Sequence, residues 1–118
     1  MAIKIEKPSR IKAAGTRVKI IEEYIGQVNT GTAEVSIARM QSPAGWEEPG
    51  QKPEFAEYTL VLRGILHVKT SSGEMDISAG EAVVVNPHEW VQYSTPQADT
   101  EYIAICMPAF SMETVHRD

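Results

Sequence analysis

The chain has a single cysteine, Cys106, among 118 residues. No disulfide can close within it, and nothing in its cysteine content calls for an oxidising compartment. Long apolar runs are also missing: none approaches the ~20 residues that a membrane helix needs. The first residues, Met1 to Pro8, alternate apolar with charged side chains and contain no apolar signal region. Excess positive charge is absent as well, with 11 Lys and Arg against 16 Asp and Glu, a net charge of −5. Nucleic-acid binding normally needs a basic patch that displaces phosphate counterions. The nearest candidate, Lys4, Lys7, Arg10, Lys12, Arg17 and Lys19, is spread thinly and reads as a solvated face. The expectation is a cytoplasmic protein with no nucleic-acid partner and no membrane partner. There is no internal repeat, no linker, no phosphate loop of the form G-x-x-x-x-G-K-[ST], and no local Ser–His or Cys–His nucleophile motif.

What is present reads as strand and turn. The apolar fraction of 42% is ordinary for a soluble domain, and residues 1–118 suffice for one domain with one core. In Ala33 to Met40, Val35 and Ile37 alternate with polar neighbours, which predicts a half-buried strand. Tyr58 to Leu62 and Ile65 to Lys69 flank Arg63-Gly64, a hairpin-like joint. Ser71-Ser72-Gly73 turns into Glu74 to Ser78, and Ala79-Gly80 turns into Val83 to Val85. Trp90 to Ser94 and Tyr102 to Cys106 supply two more strands. The best helical candidate is Arg17 to Tyr24, weakened by its β-branched residues. Short strands separated by Gly and Pro predict an all-β sandwich or barrel.

Two stretches carry a family likeness. Gly45 to Gly64 follows the spacing G-x5-H-x-H-x3-E-x6-G, with Gly45, Glu57 and Gly64 in register but Gln51 and Pro53 at the histidine positions. Gly80 to Tyr93 follows the start of a second pattern, G-x5-P-x-G-x2-H-x3-N, with His88 at the inner glycine and Val91 at the histidine. In both, the chain resembles a small single-domain cupin with degenerate metal-ligand motifs. Glu57 followed by Val61 to His67 is similar to the metal-poor cupin of ethanolamine-utilisation operons. The stretch Pro108 to Arg117 looks like the tail of related short bacterial cupins. The resemblance implies a jelly-roll barrel of two antiparallel sheets and a homodimer.

The resemblance also implies where a site would lie. Metal-binding cupins converge three histidines and a carboxylate on a transition ion; here only Glu57 remains, so no metal ligand set and no cofactor is expected. A carboxylate inside an apolar barrel is costly unless paired or protonated, which makes Glu57 the candidate acid/base. Strand alternation places Thr59 and Val61 with Glu57, and Tyr93 with Val91; Val35 and Ile37 are expected to line the same interior. The candidate ligand-binding set is Gln51, Glu57, Thr59, Val91 and Tyr93, with Trp46 at the entrance and His88 near the mouth. His67 is expected to face outward, Cys106 to be a small buried apolar residue, and the tail to pack on the barrel or on a partner subunit. The function expected is metal-independent binding of a small polar molecule. The alternatives are a metal-free enzyme (isomerase, epimerase or phosphotransfer) using Glu57, or a metalloenzyme with relocated ligands, Glu57 with His88 or with Glu47 and Glu48.

Overall fold

A computed structural model describes residues 1–118. It contains no helix and ten strands: β1 (Ser9–Ile11), β2 (Ile20–Ile25), β3 (Ser36–Ser42), β4 (Trp46–Glu47), β5 (Ala56–Arg63), β6 (Ile65–Thr70), β7 (Gly73–Ser78), β8 (Ala82–Val85), β9 (Val91–Thr95) and β10 (Thr100–Met107). They form two antiparallel sheets, a six-stranded one in the order β1-β2-β3-β10-β5-β8 and a four-stranded one in the order β4-β9-β6-β7. The expected all-β jelly roll is what the chain builds. The candidate helix over Arg17 to Tyr24 is instead the approach to β2, where adjacent Ile20 and Ile21 favour the pleated strand.

Gly64 does not make a hairpin. β5 pairs with β10 and β8, whereas β6 pairs with β7 and β9, so the chain changes sheets at this residue. Gly64 has φ of +83°, and a Cβ there would run into the backbone of Asp99 and the Thr100 side chain. Glycine meets both demands at little steric cost. A true hairpin joins β6 to β7 through Ser71-Ser72-Gly73, with Thr70 opposite Gly73.

The main core lies between the sheets and comprises Trp46, Val61, Leu66, Val68, Ile77, Val85, Val91, Tyr93 and Tyr102. Each fully buried aliphatic side chain there contributes roughly 1.5–3 kcal/mol by leaving water. A smaller cluster of Phe55, Cys106 and Val115, with Phe110 against it, lies under the C-terminal segment. That segment packs on its own barrel. Lys52 N–H donates to the His116 carbonyl, Asp118 N–H to the Gly50 carbonyl, and Glu54 N–H to the Thr114 carbonyl. Trp90 closes the seam, its indole N–H 3.1 Å from the Asp118 carboxylate.

Register decides where the interior is full and where it is hollow. Across the six-stranded sheet, Ser36, Cys106 and Glu57 stand in one row, and Ala38, Ala104 and Thr59 in the next. These side chains are small apart from Glu57, and they leave space that the larger residues facing the other half of the barrel do not. Val35 and Ile37 are on the opposite parity from Ser36, Ala38 and Met40, which line that space. The expectation that Val35 and Ile37 face inward is therefore corrected. Alternation read from apolar character alone chose the wrong face, because the inner face here is small and polar while the outer face carries the large apolar side chains.

Candidate functional site

The hollow is a cavity of about 60 Å3. One water needs about 10–15 Å3 of such space, so several waters or a molecule of a few heavy atoms fit. β2 contributes Ile21 and Glu23, β3 Ser36, Ala38 and Met40, β5 Glu57 and Thr59, and β10 Tyr102, Ala104 and Cys106. Tyr93 reaches in from β9 and Ile11 from β1, while Lys12, Lys19, Glu48, Gln51, Phe110 and Arg117 complete the wall from outside the regular strands.

Glu57 is only 9% exposed. The Tyr93 hydroxyl donates to its Oε1 at 2.7 Å, and the Cys106 thiol lies 3.8 Å from its Oε2. Burial raises the Glu57 pKa above the usual carboxylate value, opposed by the Tyr93 hydrogen bond and then by Lys19. The same burial pushes the Tyr93 hydroxyl well up and the Cys106 thiol up, so both remain protonated donors. Cys106 is buried, as expected, but it is more than apolar filling, because its sulfur joins this carboxyl's environment.

Glu48 behaves differently. It is 8% exposed, and burial raises its pKa from 4.5 to about 7, with Lys19 lowering it and Glu57 raising it further. No side chain or backbone group donates to its carboxylate, although its own backbone N–H donates to the Tyr93 carbonyl at 3.3 Å. A carboxyl that titrates near neutrality on a cavity wall can hold or release a proton there. The other buried acid, Glu23, is held through one oxygen: its Oε2 accepts from the N–H groups of Val28 and Asn29 at 3.0 and 2.9 Å.

Three cations, Lys12, Lys19 and Arg117, line the cavity. Lys19 Nζ donates to the Tyr102 hydroxyl at 2.6 Å and stands 4.0 Å from the centre of the Trp46 ring system. Arg117 is held by the C-terminal segment, its backbone bridged to Gln51. Its guanidinium lies 5.7 Å from the Phe110 ring centre, with Nη1 3.4 Å from the Met112 sulfur. Its Nε is buried without a hydrogen-bond partner.

Of the residues expected at the site, Gln51, Glu57, Thr59 and Tyr93 line the cavity, while Trp46, Val91 and His88 do not. Trp46 is not an open entrance residue: it is fully buried, its N–H donating to the Ala14 carbonyl at 3.1 Å. Val91 is core filling. His88 is an exposed turn residue with φ of +67°. That conformation is cheap for glycine and uncommon for other residues, which accounts for its position matching a glycine of the second pattern. The sequence reading of Lys12 and Lys19 as part of a solvated face is corrected, since both line the cavity, as do Arg117, which it left unassigned, and Glu48, which it considered only as a relocated metal ligand. No periodicity marks them, because each enters from a segment whose path is set by tertiary contacts. His67 sits at the surface, bridging Asp76 Oδ1 at 2.7 Å and Glu74 Oε1 at 2.9 Å.

The donor set does not fit a transition metal. Pro53 and Val91 have no side-chain donor, Gln51 has a neutral amide, and the carboxyl of Glu57 is already engaged by Tyr93 and Cys106. Nowhere do three or more His, Cys, Asp or Glu gather in a metal-holding group, so the relocated sets, Glu57 with His88 or with Glu47 and Glu48, do not assemble.

Against solved structures, the barrel superposes on a cupin-like protein of Thermotoga maritima MSB8 with a TM-score of 0.74, at 14% identity, over 87% of this chain and 79% of that one. The fold is that of a cupin. A similar match joins this chain to ethanolamine utilization protein Q of Salmonella typhimurium LT2, with a TM-score of 0.69, 16% identity, and coverage of 88% and 98%. A variant of Bacillus subtilis oxalate decarboxylase matches with a TM-score of 0.78 at 11% identity, over 98% of this chain and 31% of that one. At such identities the likeness is one of fold. No protein-family model matches. Among curated proteins, the chain is 41% identical over 101 residues to the endoribonuclease YbeY of Myxococcus xanthus, over 85% of this chain. The chain spans about a third, 34%, of the length of that relative.

Proposed function

We propose that this cupin holds a small polar molecule in its barrel without a metal ion, with Glu57, Gln51, Thr59 and Tyr93 among the groups that fix it. The observation that carries this reading is the hollow itself, a cavity of about 60 Å3 walled by polar groups that the protein leaves partly unpartnered, including the Glu48 carboxylate and Arg117 Nε. Ligand sites combine an apolar wall with a few converging polar groups in this way. The test is a metabolite screen by ligand-observed NMR on protein treated with chelator, repeated with Glu57→Gln. Binding by the folded wild type that the variant weakens supports the proposal. Binding that requires added metal would sink it.

A metal-free enzyme is the second reading, and Glu48 favours it. Glu57 was the expected acid/base, but its oxygens are engaged, whereas Glu48 has an open carboxyl with a pKa of about 7. The name of the Myxococcus relative also raises ribonuclease activity. A net charge of −5 and a cavity too small for a nucleotide argue against assigning that activity to this segment.

The homodimer reading draws on the outer face of the six-stranded sheet. Ile37, Ile105, Tyr58 and Val84 stand in one cross-strand row, with Tyr58 41%, Leu60 45% and Val84 57% exposed. Beside them lies a charged group in which Arg39 pairs with Glu101 at 2.8 Å and Arg63 approaches the same carboxylate at 3.8 Å. An apolar centre beside charged groups suits a second copy of this chain.

A further inference from the structure

We infer that the cavity ligand is a small carboxylate of two to four carbons, its anionic end held between Lys19 and Arg117 and its hydroxyl or carbonyl oxygen facing Glu48. This rests on the cavity reading above and names the chemistry of its ligand.

The charge arrangement carries the argument. Lys19 and Arg117 both line the cavity, and neither takes part in any of the chain's ion pairs. Lys19 spends one N–H on Tyr102 and keeps two for another acceptor. Arg117 has its Nε buried and unpartnered, a donor whose desolvation is offset only if an acceptor arrives. Phe110 and Met112 fix the guanidinium plane, so its direction does not depend on the ligand. Three acids, Glu23, Glu48 and Glu57, share the wall with these two cations and with Lys12, and none of the three forms an ion pair with Lys19 or Arg117. Glu23 is occupied by the Val28 and Asn29 N–H groups, and burial shifts Glu57 and Glu48 toward the neutral form, so Lys19 and Arg117 keep donors free for an anion.

Size and the remaining groups narrow the class. Space of about 60 Å3 admits a few heavy atoms and excludes a sugar phosphate or nucleotide. A carboxylate accepts from an ammonium and a guanidinium at once, the charge-assisted pairing that is strongest among protein hydrogen bonds. A protonated Glu48 can donate to an adjacent hydroxyl or carbonyl oxygen, and the Gln51 amide and Thr59 hydroxyl lie on the same wall.

The test compares three probes of one skeleton by calorimetry and NMR titration on the wild-type chain: glycolate, ethylene glycol and 2-aminoethanol. Lactate and propane-1,2-diol serve as the next larger pair. The acids are expected to bind at least tenfold tighter than their neutral and cationic counterparts. Arg117→Gln and Lys19→Gln should each weaken the acids tenfold or more while leaving the weak diol binding unchanged. Because Lys19 packs on Trp46, Lys19→Arg is the folding control, and it should retain acid binding. Equal or tighter binding of a diol or of the amine would overturn the inference and leave the cavity reading standing. No binding of any probe by folded protein would also overturn it, and the wider metabolite screen would then decide the cavity reading separately.

Discussion

The Tyr93 hydroxyl meets the Glu57 carboxylate at 2.7 Å across the interior, joining a strand of the four-stranded sheet to one of the six-stranded sheet. Tyr93→Phe keeps the ring and deletes the donor, leaving a buried acceptor without its short hydrogen bond. Stability in urea is expected to fall by about 1–3 kcal/mol. An unchanged midpoint would show that the bond has no net worth in the folded chain.

Glu48 sets a pH dependence with a definite sign. Its folded pKa of about 7 lies above the reference 4.5, so its contribution to stability is fully present below 4.5 and is lost as pH rises to about 7. Burial is the main cause and Glu57 adds to it, while Lys19 and Arg117 favour the charged form. The full cost corresponds to ~3 kcal/mol. Glu48→Gln should be close to wild type at pH 4 and clearly more stable at pH 8, by denaturation at each pH. Parallel curves for the two proteins would refute this.

His67 is predicted to titrate above the ordinary histidine value, because Glu74 and then Asp76 hold its protonated form. The stability it adds is present below about pH 6.5 and disappears as pH rises through the higher folded pKa. An NMR titration of the ring protons reads this directly, and Glu74→Gln with Asp76→Asn should return the midpoint toward the ordinary value.

If the outer sheet face joins two copies, Leu60→Glu places a charge in the centre of that face and should convert a dimer to a monomer in sedimentation equilibrium with the fold retained. A wild-type chain that is monomeric at high micromolar concentration would remove the dimer proposal.

The strands from Ala56 to Met107 were legible because alternating apolar and polar side chains, punctuated by glycine, encode a pleated half-buried surface. Gly64 was legible as a turn but not as a change of sheet, since a positive φ bends the chain without saying which strand it will pair with next. Glu57 and Tyr93 could be placed inward from parity within their own strands. The sequence by itself determined the all-β class, the inward carboxylate, and the lack of histidines where a metal would need them. Tertiary structure alone decided that the interior is hollow, because that depends on Ser36, Ala38, Ala104, Thr59 and Cys106 coming into register on neighbouring strands. It alone brought Lys19, Glu48 and Arg117 to one wall, from segments about thirty and seventy residues apart in the chain. Local pattern reports which face a side chain takes within its own strand; it carries no record of what arrives opposite.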